Sequence, residues 1–163
     1  MIEYSNPWFR VVRQGHHHWI EEPGAQQGAA ILPIIGDQVL LLKRRRMAQR
    51  GATTWEIPRG YAEPGESALA CARRELAEEV GLHVDEADLV RLGSVRPNTA
   101  ILASQVCLYL VAQPAGCLLH ERDDEALALA WMPVSAIPEW MSAGKLEDSF
   151  TLAALAYYLV ERN

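Results

Sequence analysis

Two apolar runs, Ala29 to Ile35 and Val39 to Leu42, flank Gly36-Asp37 and are rich in Ile, Leu and Val. Short apolar runs on either side of a turn pair predict neighbouring buried strands, a central hairpin at the core of a sheet. Upstream, residues 8–13 and 17–20 read as shorter strands around Gln14-Gly15, and Glu22-Pro23-Gly24 ends them with turn chemistry. Downstream, strands are expected at 88–96, 104–112 and 127–133, with Ser104 to Ala112 apolar and β-prone almost throughout. Between these groups Met47 to Thr53 is a polar loop. Trp55-Glu56-Ile57-Pro58 is extended, because a residue before proline is pushed out of the helical region.

After Ser67 the pattern changes to a helical period. Ser67 is a candidate N-cap and Gly81 a candidate stop, which predicts a helix from Ala68 to Val80 with no internal Gly or Pro. Leu69, Ala72, Leu76 and Val80 form its packing stripe, and Glu75, Glu78 and Glu79 are expected roughly opposite. A short helix near 136–142 and a last helix ending about Glu161 follow, capped by Ser135 and by Ser149 or Asp148. Leu152, Leu155, Ala156 and Leu159 are the expected buried face of the last helix. No repeat, linker or low-complexity tract interrupts this order.

The chain has 163 residues, which predicts one domain over 1–163, with residues 1–24 forming an N-terminal strand hairpin. Its 15 basic against 21 acidic residues give a formal charge of -6, which disfavours a broad grip on a long nucleic acid but leaves room for a small anionic ligand. Cys71, Cys107 and Cys117 have no CxxC spacing and predict buried free thiols of a reducing cytosol. With no leader pattern and no apolar stretch of spanning length, a cytoplasmic location without a membrane partner is expected.

On the predicted helix Glu75, Glu78 and Glu79 occupy positions i, i+3 and i+4, so three carboxylates project to one side within reach of a common point. Such a cluster repels itself unless a cation neutralises it, and a hard divalent ion such as Mg²⁺ suits both oxygen ligands and substrate phosphates. The loop with Gly60, Pro64 and Gly65 turns tightly and brings backbone carbonyls near the helix start. The whole stretch, GYAEPGESALACARRELAEEVGL, is similar to the Nudix box. Gly60, Glu66, Arg74, Glu75, Leu76, Glu78, Glu79, Gly81 and Leu82 fill its pattern without a gap. A chance match at one starting position is on the order of one in a billion at average residue usage.

The resemblance implies an α/β fold, with a mixed β-sheet sandwiched between α-helices, and hydrolysis of a phosphoanhydride by metal-activated water. It implies that Mg²⁺ or Mn²⁺ is held by Glu75, Glu78, Glu79 and the backbone carbonyl of Arg59, that Glu79 and Glu75 are catalytic, and that Glu66 pairs with Arg74 between Gly60 and Gly81. WEIPRG before the box resembles the WELPxG sequence of the ADP-ribose and nucleoside diphosphate sugar pyrophosphatase branch. That branch implies release of a nucleoside monophosphate and a sugar phosphate, a homodimer through the N-terminal strands, and a general base on a late loop. Glu125 is the preferred base and Glu121 the second, with a box glutamate otherwise activating the water. The other readings are a Nudix hydrolase of dinucleoside polyphosphates, NADH or modified nucleoside triphosphates, and a nucleotide-sensing module without turnover.

Arg44, Arg45 and Arg46 close the second central strand, where side chains alternate faces; Arg46 is the preferred phosphate contact, together with Arg59 beside the metal loop. His16 to His18 alternate in the same way and are expected on an exposed hairpin, not around one ion. Glu63 has two readings, the outer shell of the metal or a cap of the loop.

Overall fold

The computed structural model describes residues 1–114 and 117–161 and divides the strands between two sheets. β1 (Ile2–Ser5), β2 (Arg10–Gln14) and β3 (His17–Glu21) form a small antiparallel sheet. The N-terminal unit therefore has one strand more than the expected hairpin, and Trp8 lies outside it, 70% exposed. The three histidines at its tip are exposed, as predicted; His18 pairs with Glu3 at 3.3 Å.

The larger sheet contains β4 (Ala29–Ile35), β5 (Gln38–Arg46), β6 (Ala52–Glu56), β7 (Arg59–Gly60), β8 (Leu89–Val95), β9 (Val106–Gln113) and β10 (Ala128–Pro133). Its main order is β10-β5-β4-β9-β8, with β6 paired to β5 and β7 to β4. β4 and β9 run parallel and the other pairs antiparallel, so the sheet is mixed. All seven residues of β4 are buried, as expected of a strand covered on both faces.

Period-two alternation sorts these strands into two cores. Ala29, Ile31, Leu40 and Leu42 meet Cys71, Ala72, Leu76 and Val80 of α1 (Ala68–Val80). Ala30, Leu32, Val39 and Leu41 meet Ile137 of α2 (Ile137–Ser142) and Ala154, Leu155 and Tyr158 of α3 (Ser149–Glu161). The mixed sheet lies between helices, as the resemblance implied.

Several boundaries differ from expectation for identifiable reasons. β5 runs to Arg46, closed by the three arginines as expected, and its polar end pairs with β6, which begins at Ala52 and Thr53 inside the segment expected to be loop and continues into the extended Trp55-Glu56. Ser135 caps nothing, since α2 starts from Ala136 with no side-chain cap. α3 is capped by Asp148, whose Oδ2 accepts from Thr151 N at 2.9 Å. Its buried residues are Thr151, Ala154, Leu155 and Tyr158, whereas Ala156 is exposed; a polar threonine on the inner face misled the count. The cysteines are free, but only Cys71 is buried and the other two are half-buried. Among the described residues no helix is long and apolar enough to cross a membrane.

Candidate active site

The helix that carries the acidic residues has the predicted ends. Ser67 Oγ accepts from Ala70 N at 3.1 Å, and Gly81 adopts the left-handed conformation at φ 69° that lets the chain leave the helix. A side chain at Gly81 would also strike the backbone of His120, which comes within 2.2 Å of an added Cβ. The glutamates do not stand opposite the packing stripe. Glu75 and Glu79 are 7% and 5% exposed, and only Glu78 faces solvent. At 3.6 residues per turn Glu79 sits roughly 20° and Glu75 roughly 60° from Ala72, at the stripe's edge and turned toward the loop before α1.

Arginines from two directions neutralise this edge. Arg74 donates to both oxygens of Glu66 at 3.0 Å, the bidentate pair expected between loop and helix, and also to Glu75 Oε1 at 2.7 Å and Glu78 Oε2 at 3.0 Å. The hydrogen bond from Arg74 keeps Glu66 below the usual carboxylate range. From the sheet side Arg44, 6% exposed, donates to Glu79 Oε1 and to Glu125 Oε2, the latter at 2.9 Å. The second oxygen of Glu79 accepts from Arg59 N at 3.0 Å. Glu125 itself is exposed, and Arg44 holds it over the site.

Burial pushes Glu79 up to about 7, with repulsion from Glu75 adding to it and Arg44 opposing it. Burial likewise raises Glu75. Two carboxyl groups held at a cost in their charged form suit a site whose cation is supplied from outside. The cradle is equally close: a Cβ on Gly60 would lie 1.9 Å from Glu75 Oε1, so only glycine lets this carboxylate rest against the loop. Among the described residues no three His, Cys, Asp or Glu side chains already converge as a ligand shell, because Glu75 and Glu78 lean on Arg74 and Glu79 on Arg44. The expectation of a common point thus holds for the helix face and not for the side chains as they stand. The all-oxygen donor set fits a hard divalent cation, which would take the place of guanidinium charge.

These groups open on a cleft of about 370 Å³ lined by Arg44, Arg46, Arg59, Glu75, Glu78, Glu79, Asp123 and Glu125. Arg46 and Arg59 also line an adjoining pocket of about 600 Å³, with Gln49, Thr54, Glu56, Glu147 and Asp148. The shared wall is an ion network. Arg46 Nε donates to Glu56 Oε1 at 2.9 Å, and Arg59 Nη2 donates to Glu56 Oε2 and Asp148 Oδ1, each at 3.1 Å. Burial by itself raises Glu56, but the hydrogen bonds from Arg46 and Thr54 outweigh it and hold the group low.

The expected residues therefore divide. Arg46, Arg59 and Glu125 reach the cleft with the box glutamates; Glu121 is exposed and does not line it. Glu63 is exposed, and its backbone N donates to Glu66 Oε2 at 2.9 Å, a loop contact. The prediction passed over Asp123, whose N donates to Glu78 O at 2.7 Å, and undervalued Arg44. Arg44 was findable: it shares the parity of Leu40 and Leu42, which face α1. Asp123 belongs to the charged run 121–125 that holds Glu121 and Glu125, and nothing local sets it apart within that run.

The model of the NUDIX domain matches residues 24–150. The human protein named 8-oxo-dGDP phosphatase NUDT18 is 33% identical over 121 residues, which is 72% of this chain and 35% of that protein. ADP compounds hydrolase NudE of Escherichia coli (strain K12) is 28% identical over 99 residues, 60% of this chain and 48% of that protein. The chain thus spans between a third and a half of the length of these curated relatives. A crystal structure of an ADP compounds hydrolase superposes with a TM-score of 0.74 at 18% identity, covering 97% of this chain and 88% of that one, which shows a shared fold.

Proposed function

The chain belongs to the NUDIX family, and on that premise we propose that it hydrolyses a phosphoanhydride bond in a nucleoside diphosphate joined to a further group, with ADP-ribose or a nucleoside diphosphate sugar as substrate. The observation that carries this reading is the two-compartment site, in which a carboxylate cleft continues past Arg46 and Arg59 into a pocket of about 600 Å³. A diphosphate lies at the shared wall and its appended group enters the pocket, where among the described residues no Phe, Tyr or Trp lines a stacking face but Gln49, Thr54 and Glu147 offer hydrogen bonds suited to hydroxyls.

Glu75, Glu78, Glu79 and the Arg59 carbonyl would hold Mg²⁺ or Mn²⁺. When bound, the cation neutralises phosphate charge and activates the attacking water. The protein's own groups do the rest. Glu56 and Asp148 engage Nε and Nη2 of Arg46 and Nη2 of Arg59, which leaves Nη1 of each to donate to phosphate oxygens. Glu125, steered by Arg44, accepts the proton of the water at its Oε atoms. The products are a nucleoside monophosphate and a sugar phosphate. The 33% identity to the human 8-oxo-dGDP phosphatase supports a second reading, in which an oxidised nucleoside diphosphate is the substrate.

A panel of ADP-ribose, UDP-glucose, 8-oxo-dGDP, a diadenosine polyphosphate and NADH, assayed with Mg²⁺, separates the readings. The expected result is a kcat/KM for ADP-ribose or the nucleotide sugar about tenfold or more above the rest, the worth of roughly one specific pocket contact. A preference for 8-oxo-dGDP of that size replaces the first reading with the second.

We also assign the small N-terminal sheet to self-association, because Ile2 and Tyr4 of its first strand are each 53% exposed and Trp8, in the turn between its first two strands, is 70% exposed. Removing residues 1–22 is expected to convert a dimer to a monomer in light scattering; an unchanged mass removes that role from the sheet.

A further inference from the structure

The first turn of α3 is fastened to the segment that carries Arg59. Thr151 is fully buried, and its Oγ1 accepts from Ile57 N at 3.0 Å while donating to Asp148 Oδ2 at 2.8 Å. Asp148 Oδ1 accepts from Arg59 Nη2 at 3.1 Å, and the guanidinium rests 4.5 Å above the ring of Phe150. Between these two attachment points lies Pro58, which has no N–H and whose carbonyl accepts from Ile31 N at 2.9 Å in the central strand. Arg59 N then donates to Glu79 Oε2. A continuous set of bonds therefore runs from the start of α3, through residues 57–59, to a glutamate of the cleft.

We propose that Asp148 and Thr151 are positioning residues of the metal site, locking residues 57–59 so that Arg59 meets Glu79 with its N–H and offers its carbonyl to the cation. The inference rests on the reading that Glu79 and Arg59 hold a divalent ion. Helix capping alone does not account for the arrangement. A cap needs one acceptor oxygen, which Asp148 Oδ2 provides, and the second oxygen is committed to Arg59. Nor does Thr151 serve only its own helix, since it is the acceptor for a buried main-chain N–H ninety-four residues earlier. The segment needs such help because Ile57 and Arg59 supply its main-chain donors around a proline, and both bonds go to side chains. With both carboxylate oxygens engaged, Asp148 forms part of the wall of the adjoining pocket and is not a free acceptor for substrate.

The test is Mn²⁺ affinity, read by electron paramagnetic resonance without substrate, in the intact protein and in Thr151→Ser, Thr151→Val and Asp148→Asn. Asn keeps an oxygen for the cap but loses the charge that holds Arg59. The expected result is a roughly tenfold or greater loss of Mn²⁺ affinity in Asp148→Asn and Thr151→Val, the size typical of groups that orient metal ligands, with rescue to about wild-type affinity in Thr151→Ser. Wild-type Mn²⁺ affinity in Asp148→Asn, or an Asp148→Asn defect confined to the KM for nucleotide, overturns the proposal. If Thr151→Val does not fold, Asp148→Asn decides alone. A wild-type protein that binds no Mn²⁺ rejects the underlying metal reading, a result distinct from unaltered affinity in the variants.

Discussion

Glu79→Gln is expected to lower kcat/KM by about a thousandfold or more while leaving the fold intact. The loss corresponds to the several kcal/mol by which a correctly held cation stabilises developing phosphate charge, at about 1.4 kcal/mol per decade. The fold survives because Gln is isosteric and keeps an oxygen for Arg59 N, which now donates to Glu79 Oε2 at 3.0 Å. Without metal the variant is expected to be at least as resistant to heat as the native protein, since it no longer buries a carboxyl group that burial has pushed up to about 7. Activity and a thermal melt on the same preparation thus move in different directions, which separates loss of a ligand from loss of structure. Glu78→Gln is the internal contrast: Glu78 is exposed and already paired with Arg74 at 3.0 Å, so its substitution has the smaller effect. An undiminished rate in Glu79→Gln rejects the assignment of this helix to metal binding.

How much of this was legible depends on whether the signal was local. α1 was readable to the residue, because a serine cap, a glycine exit and an uninterrupted helical run all act within one segment. The central hairpin was readable for the same reason, and parity along β5 carried the further message that Arg44 and Arg46 share a face while Arg45 turns away to Gly51 O. What stayed hidden was set by tertiary contact. Glu75 and Glu79 are expected roughly opposite the packing stripe, and their burial at its edge is not readable because nothing in the helix reveals that the loop from Arg59 folds over them. β1 gave too few apolar alternations to stand out, and it exists because β2 provides an edge for it. Asp148 was visible as a cap; its bond to Arg59, eighty-nine residues away, was not. Thr151 broke the apolar count of α3 because its buried hydroxyl belongs to a bond with another part of the chain.

Acidification is expected to weaken metal binding steeply across neutrality. In the metal-free protein Glu79 carries its proton below about 7, and a cation must displace that proton before the carboxylate can serve as a ligand. Below that point the Mn²⁺ dissociation constant rises by about tenfold per pH unit for one linked proton, and more steeply where Glu75, which burial also raises, joins in. The same shift fixes the sign for stability. Against an ordinary value of 4.5, a folded value near 7 means that the contribution of Glu79 is fully present below 4.5 and is lost as pH rises through 7. Glu66 and Glu56 act in the opposite sense, since both are held low and lose their contribution only in acid, below 4.5. Between pH 5.5 and 8.5 the melting temperature of the metal-free protein should therefore fall with Glu79 ionisation, and the increment produced by a fixed Mg²⁺ concentration should grow. In Glu79→Gln both slopes should flatten. A Mn²⁺ affinity that stays level from pH 6 to pH 8 in the native protein removes the buried carboxyl of Glu79 from the binding step.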